Sequence, residues 1–166
     1  MNPWVHIPAQ AYEAHMAEIG QASALRDIFM RAYADTRPRR LLVVGCTTGR
    51  DFEVVDPDVT EKSVGVDVNR EYLEIARRRL DRLLPHVELV HGDVLCAALP
   101  SAEFDLVHAA LLFEYVDPTT LFRRIVEWLA PDGVCSTVTQ NPAEGIGSVS
   151  ETGREPARPR RTHVVA

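Results

Sequence analysis

The chain has 166 residues, 46% of them apolar and 25% charged, with a formal net charge of −6. That size suits one domain, and the composition excludes a disordered, collagen-like or low-complexity chain. The acidic balance argues against nucleic acid as a partner, and three widely spaced cysteines, Cys46, Cys96 and Cys135, exclude a fully paired disulfide framework and a CxxC zinc site.

The longest apolar run, Leu106 to Phe113, already contains His108 and is far too short to span a bilayer. Met1-Asn2-Pro3-Trp4 lacks a basic start followed by an apolar stretch, so no signal peptide is expected. These readings imply a cytoplasmic protein with free thiols and no membrane partner. Lys62 is the only lysine, an arginine bias associated with GC-rich bacterial genomes.

In chain order, Tyr12 to Ala17 reads as a short helical piece. Ala22, Leu25, Ile28, Phe29, Ala32 and Tyr33 recur at helical spacing and predict an amphipathic helix. Arg40 to Val44 is a first strand, stopped by Gly45. A short helix is expected from Arg50 to Val55, before Pro57. Ser63 to Asp67 is a second strand. Asn69 can cap the next helix, with Glu71 in its first turn and Tyr72, Leu73, Ile75, Ala76, Leu80 and Leu83 on its buried side. Val87 to Val90 and Phe104 to His108 are the third and fourth strands. Asp117-Pro118 starts a helix with proline at its first position. Leu121, Phe122, Ile125, Val126, Trp128 and Leu129 form its expected buried stripe, and Pro131-Asp132-Gly133 its end. Gly133 to Thr139 is the fifth strand.

Strands one, three and four are mostly apolar, as parallel strands covered on both faces are. Together the elements predict an α/β fold, an open, doubly wound, mostly parallel five-stranded sheet. We expect a helical lead-in over residues 1–38, an α/β core over 39–141, and a flexible tail over 142–166, where Pro, Gly, Ser and Arg replace any apolar period.

The loop Gly45-Cys46-Thr47-Thr48-Gly49 lies between a strand and a helix, where glycine permits close backbone approach and exposed N–H groups favour negative charge. Asp67 ends the second strand, where a carboxylate can accept hydrogen bonds from both ribose hydroxyls of an adenosine ligand. Gly92-Asp93 closes the third strand and can accept from an adenine amino group. A dinucleotide fingerprint starting at Gly45 would need glycine where the chain has Thr47 and Arg50, which argues against NAD or FAD and an oxidoreductase. Each residue also has a plain alternative. The two glycines can make a tight turn, Asp67 can be a solvated strand end, and Asp93 a turn residue. Cys46 reads as a small packed residue rather than a nucleophile. His108 reads as a core histidine or as a general base. Glu114 and Tyr115 fit a solvated face, and Tyr12 and His15 either cover a pocket or dock the N-terminal segment.

As a set, LLVVGCTTG (41–49), VGVDVNREYLEIARRRL (64–80), HGDV (91–94), FDLVHAALLFEYVDP (104–118) and LAPDGV (129–134) resemble the class I, Rossmann-like S-adenosylmethionine-dependent methyltransferases. The resemblance covers roughly residues 39–140, and IPAQAYEAHM (7–16) resembles a lead-in segment that lies over the ligand in some members. It implies that Gly45, Cys46, Thr47 and Gly49 hold the methionine part of S-adenosylmethionine, and Asp67 the ribose. It implies that Val68 and Val94 pack beside adenine, that Asp93 takes the adenine amino group, and that Ala109 and Leu111 line the pocket. It implies a small-molecule acceptor, S-adenosylhomocysteine as product, and no metal. His108 is the candidate base.

The chain departs from the family at three places. Thr47 stands at the middle glycine of GxGxG, Val43 stands where an acidic residue often precedes the loop, and the sixth and seventh strands have no counterpart after Gln140. This reads as a C-terminal truncation relative to the family, and it exposes strand 134–139 as an edge that offers a homodimer contact. His108-Ala109-Ala110-Leu111 lacks the polar-Pro-Pro-aromatic arrangement usual in nucleic-acid and amide N-methyltransferases. The alternative reading is a non-catalytic protein that binds the nucleoside ligand or acts by interaction.

Overall fold

The computed structural model describes residues 5–83 and 85–140; the tail expected over 142–166 lies outside them. Two helices lead in, α1 (Ala9–Glu18) and α2 (Gln21–Thr36). Strand β1 (Arg40–Val44) follows, then a short 3-10 helix (Arg50–Val54), β2 (Lys62–Asp67) and α3 (Arg70–Arg79). Next come β3 (Val87–His91), β4 (Phe104–Ala110), α4 (Pro118–Trp128) and β5 (Leu129–Val138). The sheet is parallel throughout, in the order β3-β2-β1-β4-β5. The strand order reverses between β1 and β4, the switch point where open α/β sheets open a crevice beyond their carboxyl ends.

Strand alternation splits the core into two layers. Leu42, Val44, Val107 and Ala109 pack on one face with Leu121, Ile125 and Trp128 of α4. Leu41, Val43 and Leu106 pack on the other with Phe29 of α2, Phe52, and Leu73 and Ala76 of α3. Each fully buried large side chain stabilises the fold by roughly 1.5–3 kcal/mol. The caps anticipated from sequence form. Asn69 accepts from the amides of Glu71 (3.0 Å) and Tyr72 (3.3 Å), and Asp117 from that of Thr120 (2.8 Å).

Two expectations need correction. Phe122 and Val126, assigned above to the buried stripe of the last helix, are 54% and 56% exposed. Only Leu121, Ile125 and Trp128 of α4 face the sheet, because a helix over one sheet edge buries a narrower arc than its apolar pattern offers. The helix also ends at Trp128 and not at Pro131-Asp132-Gly133. Leu129 pairs with Phe104 and regular pairing resumes at Val134 with Leu106, so residues 130–133 bulge out of the ladder. Asp132 there takes φ 65°.

Candidate functional site

A cavity of about 570 Å³ lies at the carboxyl ends of β1 to β4. Its floor comes from Gly45 and Thr47 after β1, Asp67 and Val68 at the end of β2, Asp93 and Val94 after β3, and Ala110 and Leu111 at the end of β4. Its roof comes from the lead-in, including Tyr12, His15 and Met16 of α1 and Leu25 and Arg26 of α2. Tyr12 and His15 therefore lie over the site, the first of the two alternatives left open for them. Tyr115 also lines the cavity, whereas Glu114 accepts a hydrogen bond from the Gln140 amide at 2.6 Å.

Asp67 is the centre of the floor. Its Oδ2 accepts from the Thr47 amide and its Oδ1 from the Asn69 amide, both at 2.8 Å. The carboxylate thus ties the glycine loop to the end of β2. Burial raises its pKa, while the amides of Asn69 and Thr47 and the nearby His91 draw it down. Val68 beside it remains 38% exposed, an apolar wall left open toward the cavity. Val94 lines the same space. Asp93 accepts from the Leu95 amide at 2.9 Å through Oδ1.

Thr47 holds φ 47°, a left-handed conformation that a β-branched residue adopts only under strain. Its side chain hydrogen-bonds Tyr12, whose hydroxyl burial pushes up to about 12. This bond fastens the roof to the loop. A larger fastening sits beside it. Glu13 accepts from Thr48 Oγ1 (2.6 Å), Arg50 (3.0 Å) and Arg79 (2.7 Å). Burial alone would raise the Glu13 carboxyl, but these three bonds outweigh it and hold the pKa at about 2. Arg79 also donates to the Thr48 carbonyl at 2.6 Å, and the Tyr72 hydroxyl to the Ile7 carbonyl at 3.0 Å.

Not every candidate meets the cavity. Cys46, Gly49, Ala109 and His108 are absent from its walls. Cys46 is 2% exposed in the core, and burial raises its thiol well above the ordinary range. Gly49 serves packing: at φ 77°, an added Cβ would sit 3.0 Å from Ala76 Cβ and Leu80 Cδ1. Ala109 packs under α4, and its neighbour Ala110 reaches the cavity instead. His108 is 1% exposed, 3.1 Å from Ser136 Oγ through Nδ1, with Phe29 edge-on at 5.1 Å. Burial lowers its pKa to about 4. It is a neutral core histidine outside the cavity wall.

The sequence reading missed Asp51, Arg26 and Glu13. Asp51 follows the glycine loop directly and is the one acid facing the cavity from the 3-10 helix, so its position was a usable signal. Glu13 gave none, because its partners lie 35 to 66 residues away. Among the described residues, no group of three or more His, Cys, Asp or Glu is placed to hold a metal ion, and no helix is long and apolar enough to cross a membrane.

Residues 41–133 match the family model described as a methyltransferase domain. A curated relative, the ubiquinone biosynthesis O-methyltransferase of Neisseria meningitidis, is 31% identical over 137 residues. The match covers 74% of this chain and 56% of that protein, so the chain spans little more than half of its relative. The [4+2]-cyclase SpnF superposes with a TM-score of 0.62 at 25% identity, over 72% of this chain and 45% of that one. An S-adenosylmethionine-dependent methyltransferase from Mesorhizobium loti superposes with a TM-score of 0.55 at 26% identity, over 60% and 46%.

Proposed function

The chain belongs to this methyltransferase-domain family, and from that premise we propose that its cavity binds S-adenosylmethionine and presents the methyl group to a small-molecule acceptor. One observation carries the reading. A buried carboxylate, Asp67, stands at the end of β2 beside an apolar wall, Val68 and Val94, within a roofed cavity of about 570 Å³. The residues suit an adenosine: Asp67 for the ribose hydroxyls, the two valines for the faces of adenine, and Asp93 Oδ2 for its amino group. Gly45 and Thr47 then face the methionine end.

The sulfonium of the donor supplies an already activated methyl group. The chain's task is to align donor and acceptor in line and to keep water out. The roof does the second, with Tyr12 fastened to Thr47 and Glu13 to the arginines below it. The Neisseria relative, named for O-methylation in ubiquinone biosynthesis, supports a hydroxyl group on the acceptor.

A second reading keeps the ligand but not the transfer. It is favoured by the likeness to a protein named as a [4+2]-cyclase and by the strained Thr47 in the loop. Calorimetry with S-adenosylhomocysteine and NAD, followed by labelled methyl transfer from S-adenosylmethionine to a panel of small hydroxylated aromatics, separates these. The proposal expects S-adenosylhomocysteine to bind, NAD not to bind, and label to move. Binding without transfer favours the second reading, and no binding of S-adenosylhomocysteine refutes both.

A further inference from the structure

The sheet has two edges, β3 and β5, and they differ. On β3, Glu88 and His91 are exposed and Lys62 lies 3.5 Å from Glu88, so charge guards that edge against pairing. On β5, residues Val134 to Thr139 carry no charge and no proline. β5 pairs with β4 along one side, and among the described residues no strand pairs with its other side. The Val138 carbonyl accepts from the Leu111 amide on the β4 side, so by alternation the backbone groups of Cys135 and Thr137 face outward.

The helix above this edge is open on the same flank. α4 packs on β4 and β5. Its Arg124 reaches the Ala97 carbonyl, and Ala97 lies in the layer over β1 and β2 with Leu42 and Val64, which fixes the inner flank of the helix. Phe122 and Val126 each stand two positions from Arg124, about 160° around the axis, so they look toward the β5 edge. Both are more than half exposed. Cys135 and Thr137, on the strand below, are half-buried.

An unguarded edge beside an apolar flank suits a partner that brings one strand and one helix at matching spacing. A second copy of this chain does so. Two β5 edges joined antiparallel about a two-fold axis continue the sheet through both copies. Because α4 lies over β4 and β5, its copy then lies two strand spacings away, about 10 Å. Packed helices keep about 8–10 Å between axes. The antiparallel arrangement sets Phe122 against Val126 of the second copy, and brings the exposed Arg123 within a turn of the second copy's Glu127, an unlike charge. The competing cover is the chain's own residues 141–166. They hold no aromatic residue, their only large apolar residues are Ile146, Val149, Val164 and Val165, and Pro142, Pro156 and Pro159 lack the donor a strand needs.

We propose that the chain forms a two-fold homodimer by antiparallel pairing of its β5 edges, sealed by Phe122 and Val126 of both α4 helices. Sedimentation equilibrium of the full chain, from low to high micromolar concentration, tests this with three variants. Phe122→Glu places a charge on the exposed flank. Thr137→Pro removes an outward donor and no bond to β4. Met30→Glu alters an exposed apolar residue on α2, the helix over the opposite face of the sheet. Wild type is expected to dimerise, the first two variants to weaken the dimer by about 10-fold or more, and Met30→Glu to leave it unchanged. Circular dichroism checks that each variant keeps its helices and strands. Exchange of the Cys135 and Thr137 amides in wild type should slow as concentration rises. A chain that stays monomeric overturns the proposal; protection of those two amides in that monomer would identify residues 141–166 as the cover. A dimer that survives Phe122→Glu or Thr137→Pro unchanged, or that Met30→Glu weakens equally, uses another surface and overturns it as well.

Discussion

Asp67→Ala tests the floor of the cavity, and the structure separates its two effects. The carboxylate holds the Thr47 and Asn69 amides at 2.8 Å each. Removing it strands two N–H groups, but the cavity admits water to them, so the fold loses about 2 kcal/mol rather than the full desolvation cost of both. For a domain of this size that is a fall in Tm of about 4–8 °C. The ligand loses a charge-assisted contact to the ribose, about 1.5–3 kcal/mol or roughly 10–150-fold in Kd. A loosened glycine loop would also weaken binding, so the contact must be isolated. Titrating S-adenosylhomocysteine and its 2′,3′-dideoxy analogue into wild type and variant does so as a double-perturbation cycle. The penalty of Asp67→Ala shrinks toward nothing for the dideoxy ligand if the carboxylate meets the hydroxyls. An equal penalty for both ligands, or wild-type affinity in the variant, refutes the ribose assignment.

Three further outcomes follow from the loop and the roof. Gly49→Ala is expected to cost about 2–4 kcal/mol in denaturant unfolding, since a Cβ at φ 77° meets Ala76 and Leu80 at 3.0 Å. Thr47→Gly and Thr47→Ala both lose the bond to Tyr12, yet the glycine variant should be the more stable by about 1 kcal/mol, because only glycine relaxes at φ 47°; equal stability would show that the loop is unstrained. Glu13 has a folded pKa of about 2, below its ordinary value, so its stabilisation is full above about pH 4.5 and is lost as pH falls toward 2. Glu13→Gln should therefore flatten the fall of Tm over that acid range, and protease sensitivity of α1 should rise in the variant at neutral pH.

The sheet was legible because parallel strands covered on both faces read as apolar runs, and the first is stopped by Gly45. Asn69 and Asp117 were legible because a cap is a local event. What failed was orientation around an axis. Phe122 and Val126 share the apolar period of Leu121 and Ile125, and only the position of α4 against the sheet decides which are covered. In the loop, Gly45 and Thr47 face the cavity while Cys46 and Gly49 face the core, in a turn where Gly45, Thr47 and Gly49 all take positive φ. His108 and Ala110 lie two apart on β4, yet only Ala110 reaches the rim. The Glu13 fastening joins α1 to a loop and a helix far along the chain, and no sequence spacing encodes it.

The most direct test of the site is to map amide chemical shifts of the labelled chain as S-adenosylhomocysteine is added. The account predicts the largest changes at Gly45, Thr47, Val68, Val94 and Leu111, with residues at the opposite end of the sheet, such as Arg40 and Ala102, unmoved. Saturable shifts confined to that opposite end, or none at Thr47 and Val68, would contradict it.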